Sequence, residues 1–62
     1  MDLWEFIWLL ERPIQFQVQS EDTCLSVAKR LTKNPGFGLA AICINTFDGT
    51  TIFIQNGKVT SR

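Results

Sequence analysis

Three basic residues, Lys29, Arg30 and Lys33, lie close together in the sequence. At positions i, i+1 and i+4 of a helix they would project from neighbouring positions on one side. A guanidinium binds a phosphate or carboxylate through two parallel hydrogen bonds, and ammonium groups add compact positive charges. The spacing therefore predicts a surface that binds the phosphates or carboxylates of a partner. The alternative is an ordinary solvated helix face, whose cations are stabilised by the negative end of the helix dipole.

The aromatic residues indicate a second surface. One helix covers only one face of a small sheet, and the chain carries an aromatic surplus in Trp4, Trp8, Phe47 and Phe53. An uncovered apolar face can bind a partner or self-associate, so we single out Trp8 and Phe53 as contact residues. A sheet edge is also available for pairing with another strand. The alternative is that the N-terminal segment folds over this face and completes the core.

Catalytic and metal-binding patterns are missing from the sequence. The chain contains no histidine, which excludes Ser–His and Cys–His nucleophilic pairs and His-containing metal sites. Glu21 and Asp22 suit the start of a helix and Asp48 suits a turn, so no two carboxylates remain at a spacing for acid–base chemistry. The four glycines fit turns rather than a phosphate-binding loop. We therefore expect a non-enzymatic protein with no catalytic residue, no metal and no cofactor.

Cys24 and Cys43 are the two cysteines of the chain. Neither belongs to a CxxC pair, and two thiolates without histidine do not complete a four-ligand zinc site. A disulfide between them is one alternative. Because the first residues lack the regions of a signal peptide, we expect instead two reduced, buried thiols in a cytosolic protein. The longest apolar runs, Phe6–Leu10 and Leu39–Ile44, are far shorter than the ~20 residues that cross a bilayer.

Composition predicts one folded domain over residues 1–62. The chain is 45% hydrophobic and has a formal net charge of zero, unlike disordered chains of high net charge. Residues 1–22 hold five carboxylates and one Arg, whereas residues 23–62 hold five cations and one Asp. A face of one sign can therefore orient a charged partner. Direct nucleic-acid binding would be weak without an overall basic excess.

The N-terminal third predicts two strands. Residues 3–11 fit the periods of both a strand and a helix. Their aromatic content and the stop at Pro13 favour a strand. Ile14–Gln19 alternates apolar residues with glutamines at a period of two, which predicts a second strand. The turn between the two strands is predicted at Arg12-Pro13.

The middle of the chain predicts a helix. Ser20 suits its N-cap position, and the Asn34-Pro35-Gly36 sequence ends it. Its apolar stripe at i, i+3, i+4 and i+7 consists of Cys24, Val27, Ala28 and Leu31.

The last third predicts three strands. Leu39–Ile44 is a continuous apolar run, typical of a central strand that is buried on both faces. Asp48-Gly49 and Asn56-Gly57 predict hairpin turns before strands over Thr50–Gln55 and Lys58–Ser61. We assign one set of side chains to the helix side of the sheet, namely Ile14, Phe16, Val18, Ile42, Ile44, Ile52 and Ile54. This assignment places Cys43 and Phe53 on the other face.

These elements predict an α+β fold in the order β-β-α-β-β-β, or α-β-α-β-β-β if the first segment is helical. A single helix would pack on an antiparallel β-sheet of four to five strands. The last three strands would form a meander.

The helix sequence also supports a family resemblance. Leu25–Leu31 (LSVAKRL) follows a strand and precedes a glycine, an apolar strand, the Asp48-Gly49 turn, an aromatic-containing strand and Gly57-Lys58. This order resembles small phage anti-CRISPR proteins of the type I-F inhibitor kind, which have an L-S-x-A-K-R-I helix, an F-x-G strand start and a late G-K. The resemblance covers residues 14–60. It implies one helix on a five-stranded antiparallel sheet and helix cations that occupy a guide-RNA-bearing effector complex, with Lys29 and Arg30 at the positions of the family's K-R and Lys33 one turn further on.

Our leading hypothesis is a non-enzymatic phage or mobile-element inhibitor. It would bind a host multi-subunit nucleoprotein, a CRISPR effector complex, in the host cytoplasm and block the nucleic-acid path. Its partner-binding residues would be Lys29, Arg30, Lys33, Trp8 and Phe53. One alternative is a small protein-interaction or oligomerisation module, such as a homodimer, that uses the apolar sheet face. Another is a weak nucleic-acid-binding protein, and no membrane partner is expected.

Overall fold

The computed structural model of the protein describes residues 3–33 and 40–61. In chain order, its elements are strands β1 (Trp4–Trp8) and β2 (Ile14–Val18), helix α1 (Glu21–Lys33), and strands β3 (Ala40–Asn45), β4 (Thr51–Gln55) and β5 (Lys58–Ser61). The predicted α+β order β-β-α-β-β-β is confirmed. The predicted helix stop over residues 34–36 and the predicted strand start at Leu39 lie outside the described residues.

The strands form a five-stranded antiparallel sheet in the order β2-β1-β3-β4-β5. The N-terminal segment is therefore a strand rather than a helix. It lies inside the sheet, where Phe6 is the register partner of Phe16 on β2 and of Cys43 on β3. Trp4 and Phe6 are buried on the side of the sheet that α1 covers. The aromatic N-terminus thus builds the core and does not fold over the opposite face.

The connection between β1 and β2 is longer than the predicted Arg12-Pro13 turn. It spans residues 9–13. The Leu9 N–H still donates to the Ala40 carbonyl (3.0 Å), but the Leu10 N–H donates to the Trp8 carbonyl (3.0 Å). This i to i+2 hydrogen bond closes a three-residue turn, which ends the strand before the apolar run ends.

Helix α1 begins at the predicted N-cap. The Ser20 Oγ accepts a hydrogen bond from the Thr23 N–H (3.2 Å), and the Ser20 carbonyl accepts one from the Cys24 N–H (3.0 Å). The first bond satisfies an N–H group of the first turn that has no partner within the helix, and the second is the first backbone hydrogen bond of the helix itself. The helix packs mainly on β3, then on β4 and β1, and only slightly on β2. The edge strand β2 is consequently covered only slightly by the helix.

The buried stripe of α1 is rotated relative to the predicted one. Cys24, Ala28 and Thr32 are fully buried, whereas Val27 and Leu31 lie at the margin and are half-buried. Thr32 can occupy the centre of the stripe because its hydroxyl has hydrogen-bond partners there.

β3 is the middle strand of the sheet, but only one of its faces is buried. Cys43 lies under α1, whereas Ile42 and Ile44 are half-buried on the opposite face. The prediction of burial on both faces is therefore wrong, as is the assignment of Ile42 and Ile44 to the helix side and of Cys43 to the other. A continuous apolar run has no alternation, so its sequence does not fix which residues face the helix. The register with β1 fixes it by placing Cys43 opposite the buried Phe6.

Cys24 of α1 and Cys43 of β3 form a disulfide, with their Cα atoms 6.1 Å apart. Both side chains are completely buried. The expectation of two reduced thiols is therefore wrong. That expectation rested on motif spacing and on compartment, whereas the register of β3 brings Cys43 directly beneath the buried stripe of the helix.

The β3–β4 hairpin turns at the predicted Asp48-Gly49 pair. The Asn45 Oδ1 accepts hydrogen bonds from the N–H groups of Phe47 (2.7 Å) and Asp48 (3.1 Å). Gly49 has φ 79° and donates its N–H to the Asn45 carbonyl (2.9 Å). The buried side-chain amide of Asn45 thus stabilises the turn through hydrogen bonds to its backbone.

Candidate interaction surfaces

The cationic helix surface consists of Lys29, Arg30 and Lys33, and all three side chains are exposed. The buried stripe of α1 occupies the other side of the helix. Within the described ranges, none of the three cations forms an ion pair. Arg30 and Lys33 belong to the last turn, where the helix dipole stabilises positive charge. This geometry is compatible with a binding surface and with a solvated face.

The β4–β5 turn holds the end of the helix from which Lys33 projects. The Gly57 N–H donates to the Thr32 Oγ1 (2.9 Å), and the Thr32 Oγ1 donates to the Ala28 carbonyl (2.7 Å). A Cβ added at Gly57 would stand 3.2 Å from the Lys33 Cβ. The Gly57 backbone therefore lies close to the base of the Lys33 side chain.

The open face, which is the sheet face opposite α1, carries an apolar patch. Ile7, Ile42 and Phe53 lie side by side across β1, β3 and β4, because they are register partners. Ile44 shares this face of β3, and Leu9 continues the alternation of β1. Leu9 is 41% exposed and Phe53 is 44% exposed. The patch is therefore contiguous and reachable from solvent.

Polar residues border this patch on both sides. Their positions follow from the strand registers, which place Glu5, Gln15 and Gln17 toward β2 and Thr51, Gln55 and Ser61 toward β5. An apolar centre with a polar rim is the usual composition of a protein–protein interface. The open face has that composition.

The predicted contact residues do not come together. Trp8 lies on the helix side of the sheet, where its register partners are Ile14 and Ala41 and where it packs against the core. Phe53 lies on the open face as predicted. The three helix cations are exposed on α1, which lies on the opposite side of the sheet from the open face. The five residues are thus distributed over three sides of the molecule.

Sequence reasoning missed most of the open-face patch. Our assignment from the sequence places Ile42 and Ile44 on the helix side, and the predicted contact residues do not include Ile7 or Leu9. The strand interpretation of residues 3–11 does indicate the open-face position of Ile7 and Leu9, because it places them on the face opposite Trp4. The position of Ile42 follows once it is paired with Phe53.

The β3–β4 turn carries one further exposed aromatic residue. Phe47 is 83% exposed. Next to it, the Asp48 carboxylate accepts a hydrogen bond from the Thr50 N–H (2.8 Å). Hydrogen bonds from the Thr50 side chain first, and from its backbone second, lower the pKa of Asp48 below its ordinary value of 3.8. Asp48 therefore serves the turn, as its sequence context predicts.

Comparisons with known proteins add no relative. No family model, no curated protein and no solved structure matches this chain. Among residues 3–33 and 40–61, no cluster of three or more Cys, Asp or Glu side chains is placed to hold a metal ion. In the same part of the chain, no helix has the length and apolar content that crossing a membrane requires.

Proposed function

We propose that this protein is a non-enzymatic binding module that docks on a partner protein through its open face. One observation carries the proposal. Ile7, Leu9, Ile42, Ile44 and Phe53 form a contiguous apolar patch on the face that α1 does not cover. An exposed, contiguous apolar patch with a polar rim is typical of a protein interaction site.

The chemistry of the patch defines the partner. The centre offers aliphatic and aromatic area without a charged side chain, and Glu5 is the charged residue nearest to it in register. A phosphate-rich partner would find no cation at this centre. The matching surface is therefore an apolar, protein-type surface whose rim offers hydrogen-bond groups to the glutamines and threonine of the border.

Phe53 is the anchor of the docking surface. Aromatic residues near the centre of an interface carry a large share of binding energy. Phe53 is flanked by Ile42 in the neighbouring strand and remains partly exposed. Its ring can therefore enter a pocket of the partner while its backbone stays fixed in the sheet.

Site-specific photo-crosslinking tests this surface. A benzophenone amino acid is placed at position 53, on the open face, or at position 30, on the cationic helix surface, in the organism that encodes the chain. We expect position 53 to give a discrete adduct with a foreign protein and position 30 to give none. Adducts from position 30 alone, adducts with the chain itself alone, or no adduct at position 53 would each overturn the proposal.

Affinity measurements with the captured protein then test the anchor. We expect Phe53→Ala to weaken binding at least ~30-fold, the effect of an interface hot spot. Phe47→Ala is the matched control, because it removes an exposed Phe from a turn rather than from the open face. Its effect should stay below ~3-fold, and equal losses from both variants would contradict an anchor role for Phe53.

A second candidate function is supported by the cationic helix surface. Three exposed cations without ion pairs among the described residues suit the acidic groups that line a nucleic-acid path. If this surface is the binding site, we propose that the protein inhibits a host CRISPR effector complex, as the sequence resemblance implies. The two candidates differ in the surface that they require, since the inhibitor would lose its partner when the helix cations are removed.

This second candidate would act in the host cytoplasm. Cytosolic thiol systems keep most protein cysteines reduced. Reduction of a disulfide requires that a thiolate reach one of its sulfurs, and both Cys24 and Cys43 are completely buried. We therefore expect slow reduction of this bond in a folded cytoplasmic protein.

A further inference from the structure

We infer that β2 pairs with β2 of a second copy of the chain, which would join two five-stranded sheets into one continuous sheet. The two copies would be related by a two-fold axis at Phe16. This interface uses the edge of the sheet and not the open face, so it does not depend on the proposed docking function.

The backbone of β2 offers free hydrogen-bonding groups at this edge. β2 is the first strand of the sheet and has β1 as its neighbour. The bonds Leu9 N–H to Ala40 carbonyl (3.0 Å) and Thr46 N–H to Leu3 carbonyl (2.9 Å) show that the odd-numbered residues around β1 bond to β3. Antiparallel ladders alternate, so the even-numbered residues of β1 bond to their even-numbered partners in β2. The N–H and carbonyl groups of Gln15 and Gln17 therefore point to the free edge.

This edge lacks the devices that usually prevent edge-to-edge pairing. Ile14–Val18 contains no charged residue and no proline, and its pairing with β1 is regular. The opposite edge differs, because β5 begins with Lys58 and pairs with β4 through a register shift between Phe53 and Ile54. Lysine and a β-bulge are typical protections of a sheet edge. The β5 edge is therefore protected against pairing with another strand, and the β2 edge is not.

The sequence of β2 is symmetric about its centre. Antiparallel pairing about Phe16 places Gln15 opposite Gln17 of the second copy, Phe16 opposite itself, and Ile14 opposite Val18. The Gln15–Gln17 pairs would exchange both backbone hydrogen bonds, because the backbone N–H and carbonyl groups of these residues point to the free edge. A one-residue slip would set glutamines against apolar side chains. Registers shifted by two residues would leave part of the strand unpaired.

The side chains of β2 also favour a second copy. Ile14 and Phe16 lie on the helix side of the sheet but remain 44% and 40% exposed, because α1 covers β2 only slightly. The Phe16 ring contacts the buried Phe6 ring, with centroids 4.9 Å apart. Pairing would continue this contact across the axis, since side chains of directly opposed residues lie close together in an antiparallel pair. It would cover apolar area that the monomer leaves open.

Sedimentation equilibrium of the full chain, from about 1 µM to about 1 mM, tests the inference. We expect a monomer–dimer equilibrium. Gln17→Pro should weaken it at least ~10-fold, because proline removes an outward donor without removing a bond to β1. Gln17→Thr is the matched control, since it keeps the N–H and suits a strand, and it should change dimerisation less than ~3-fold.

A second variant guards against misfolding of the proline variant. Gln15→Lys combined with Gln17→Lys changes two exposed side chains and would set lysines opposite each other across the axis, so it should abolish the dimer. Circular dichroism should show an unchanged fold. A strict monomer at about 1 mM, or a dimer that persists in the double lysine variant, would overturn the inference.

Discussion

Two glycines with the same φ angle have different surroundings in this structure. Gly49 and Gly57 both have φ 79°, in the left-handed region. A Cβ added at Gly49 meets nothing within 4 Å, whereas one added at Gly57 stands 3.2 Å from the Lys33 Cβ. Asn56, with φ 54°, completes a turn of the type that Asn-Gly sequences favour. Gly57 therefore serves both the turn and the contact between turn and helix.

We predict that Gly57→Ala lowers the free energy of unfolding more than Gly49→Ala does. Both substitutions carry the conformational cost of a left-handed L-residue, about 1 kcal/mol. Gly57→Ala must also move the Lys33 side chain or the turn, which strains the bond from the Gly57 N–H to Thr32. Urea unfolding of the two variants measures the difference. Equal losses would mean that the turn does not press on the helix.

Thr32 shows why some residues escape sequence prediction. A threonine at this position of a helix suggests a solvent-facing side chain, yet it is fully buried. Its hydroxyl donates to the Ala28 carbonyl and accepts from the Gly57 N–H, a residue 25 positions away in the chain. The partner that makes its burial tolerable becomes a neighbour only in the folded sheet. By contrast, Ser20 was predictable as a cap because its partners lie within one turn.

The disulfide is the element-scale link between the helix and the sheet. It joins α1 to the middle strand across a sequence separation of 19. A domain of this size buries a modest core, so a cross-link that restricts the unfolded chain has a large relative effect. For a loop of this length the chain-entropy argument gives about 3 kcal/mol.

We predict that a reducing agent lowers the free energy of unfolding by about 3 kcal/mol. Urea titrations with and without dithiothreitol measure the change. The control is the double variant Cys24→Ala with Cys43→Ala, whose stability should be low and insensitive to the reductant. If the native chain is equally insensitive, its cysteines are reduced thiols and the helix depends on packing alone.

The success of strand prediction depended on alternation. Ile14–Gln19 alternates without exception, and the structure places Ile14, Phe16 and Val18 on the predicted side. The apolar run of β3 has no such pattern. Without it, the sequence predicted neither the sheet face on which Ile42 and Ile44 lie nor the disulfide partner of Cys43. Existence and order of the strands were predictable from local signals. The sheet face on which each side chain lies was predictable only where polar residues occupied the alternate positions of the strand.

At the scale of the whole molecule, the described elements leave the open face uncovered because the chain is too small to form a second layer on it. The Cα extents are 35 × 21 × 15 Å, and the Cα radius of gyration is 10.6 Å, close to the ~11 Å expected for a compact chain of this length. A thickness of 15 Å holds one helix on one sheet. Within the described residues, no element covers the apolar side chains of β1, β3 and β4 that face away from α1.

The three helix cations lie on a different side of the molecule from the apolar patch, which allows the two candidate functions to be separated. We predict that the triple variant Lys29→Glu, Arg30→Glu, Lys33→Glu binds the protein captured at position 53 with an affinity within ~3-fold of the native chain at physiological salt. Charges far from an interface mainly alter the association rate and its salt dependence. Titration calorimetry and stopped-flow kinetics measure both quantities.

The control for this variant replaces the same three residues by glutamine, because glutamates in the last turn oppose the helix dipole and lower stability by about 0.3–1 kcal/mol each. Thermal unfolding identifies that effect, and the glutamine variant should bind like the native chain. A loss of about 100-fold or more in both folded variants would show that the helix cations are the binding surface. The partner would then be an acidic or phosphate-bearing surface, and the inhibitor candidate would replace the docking module.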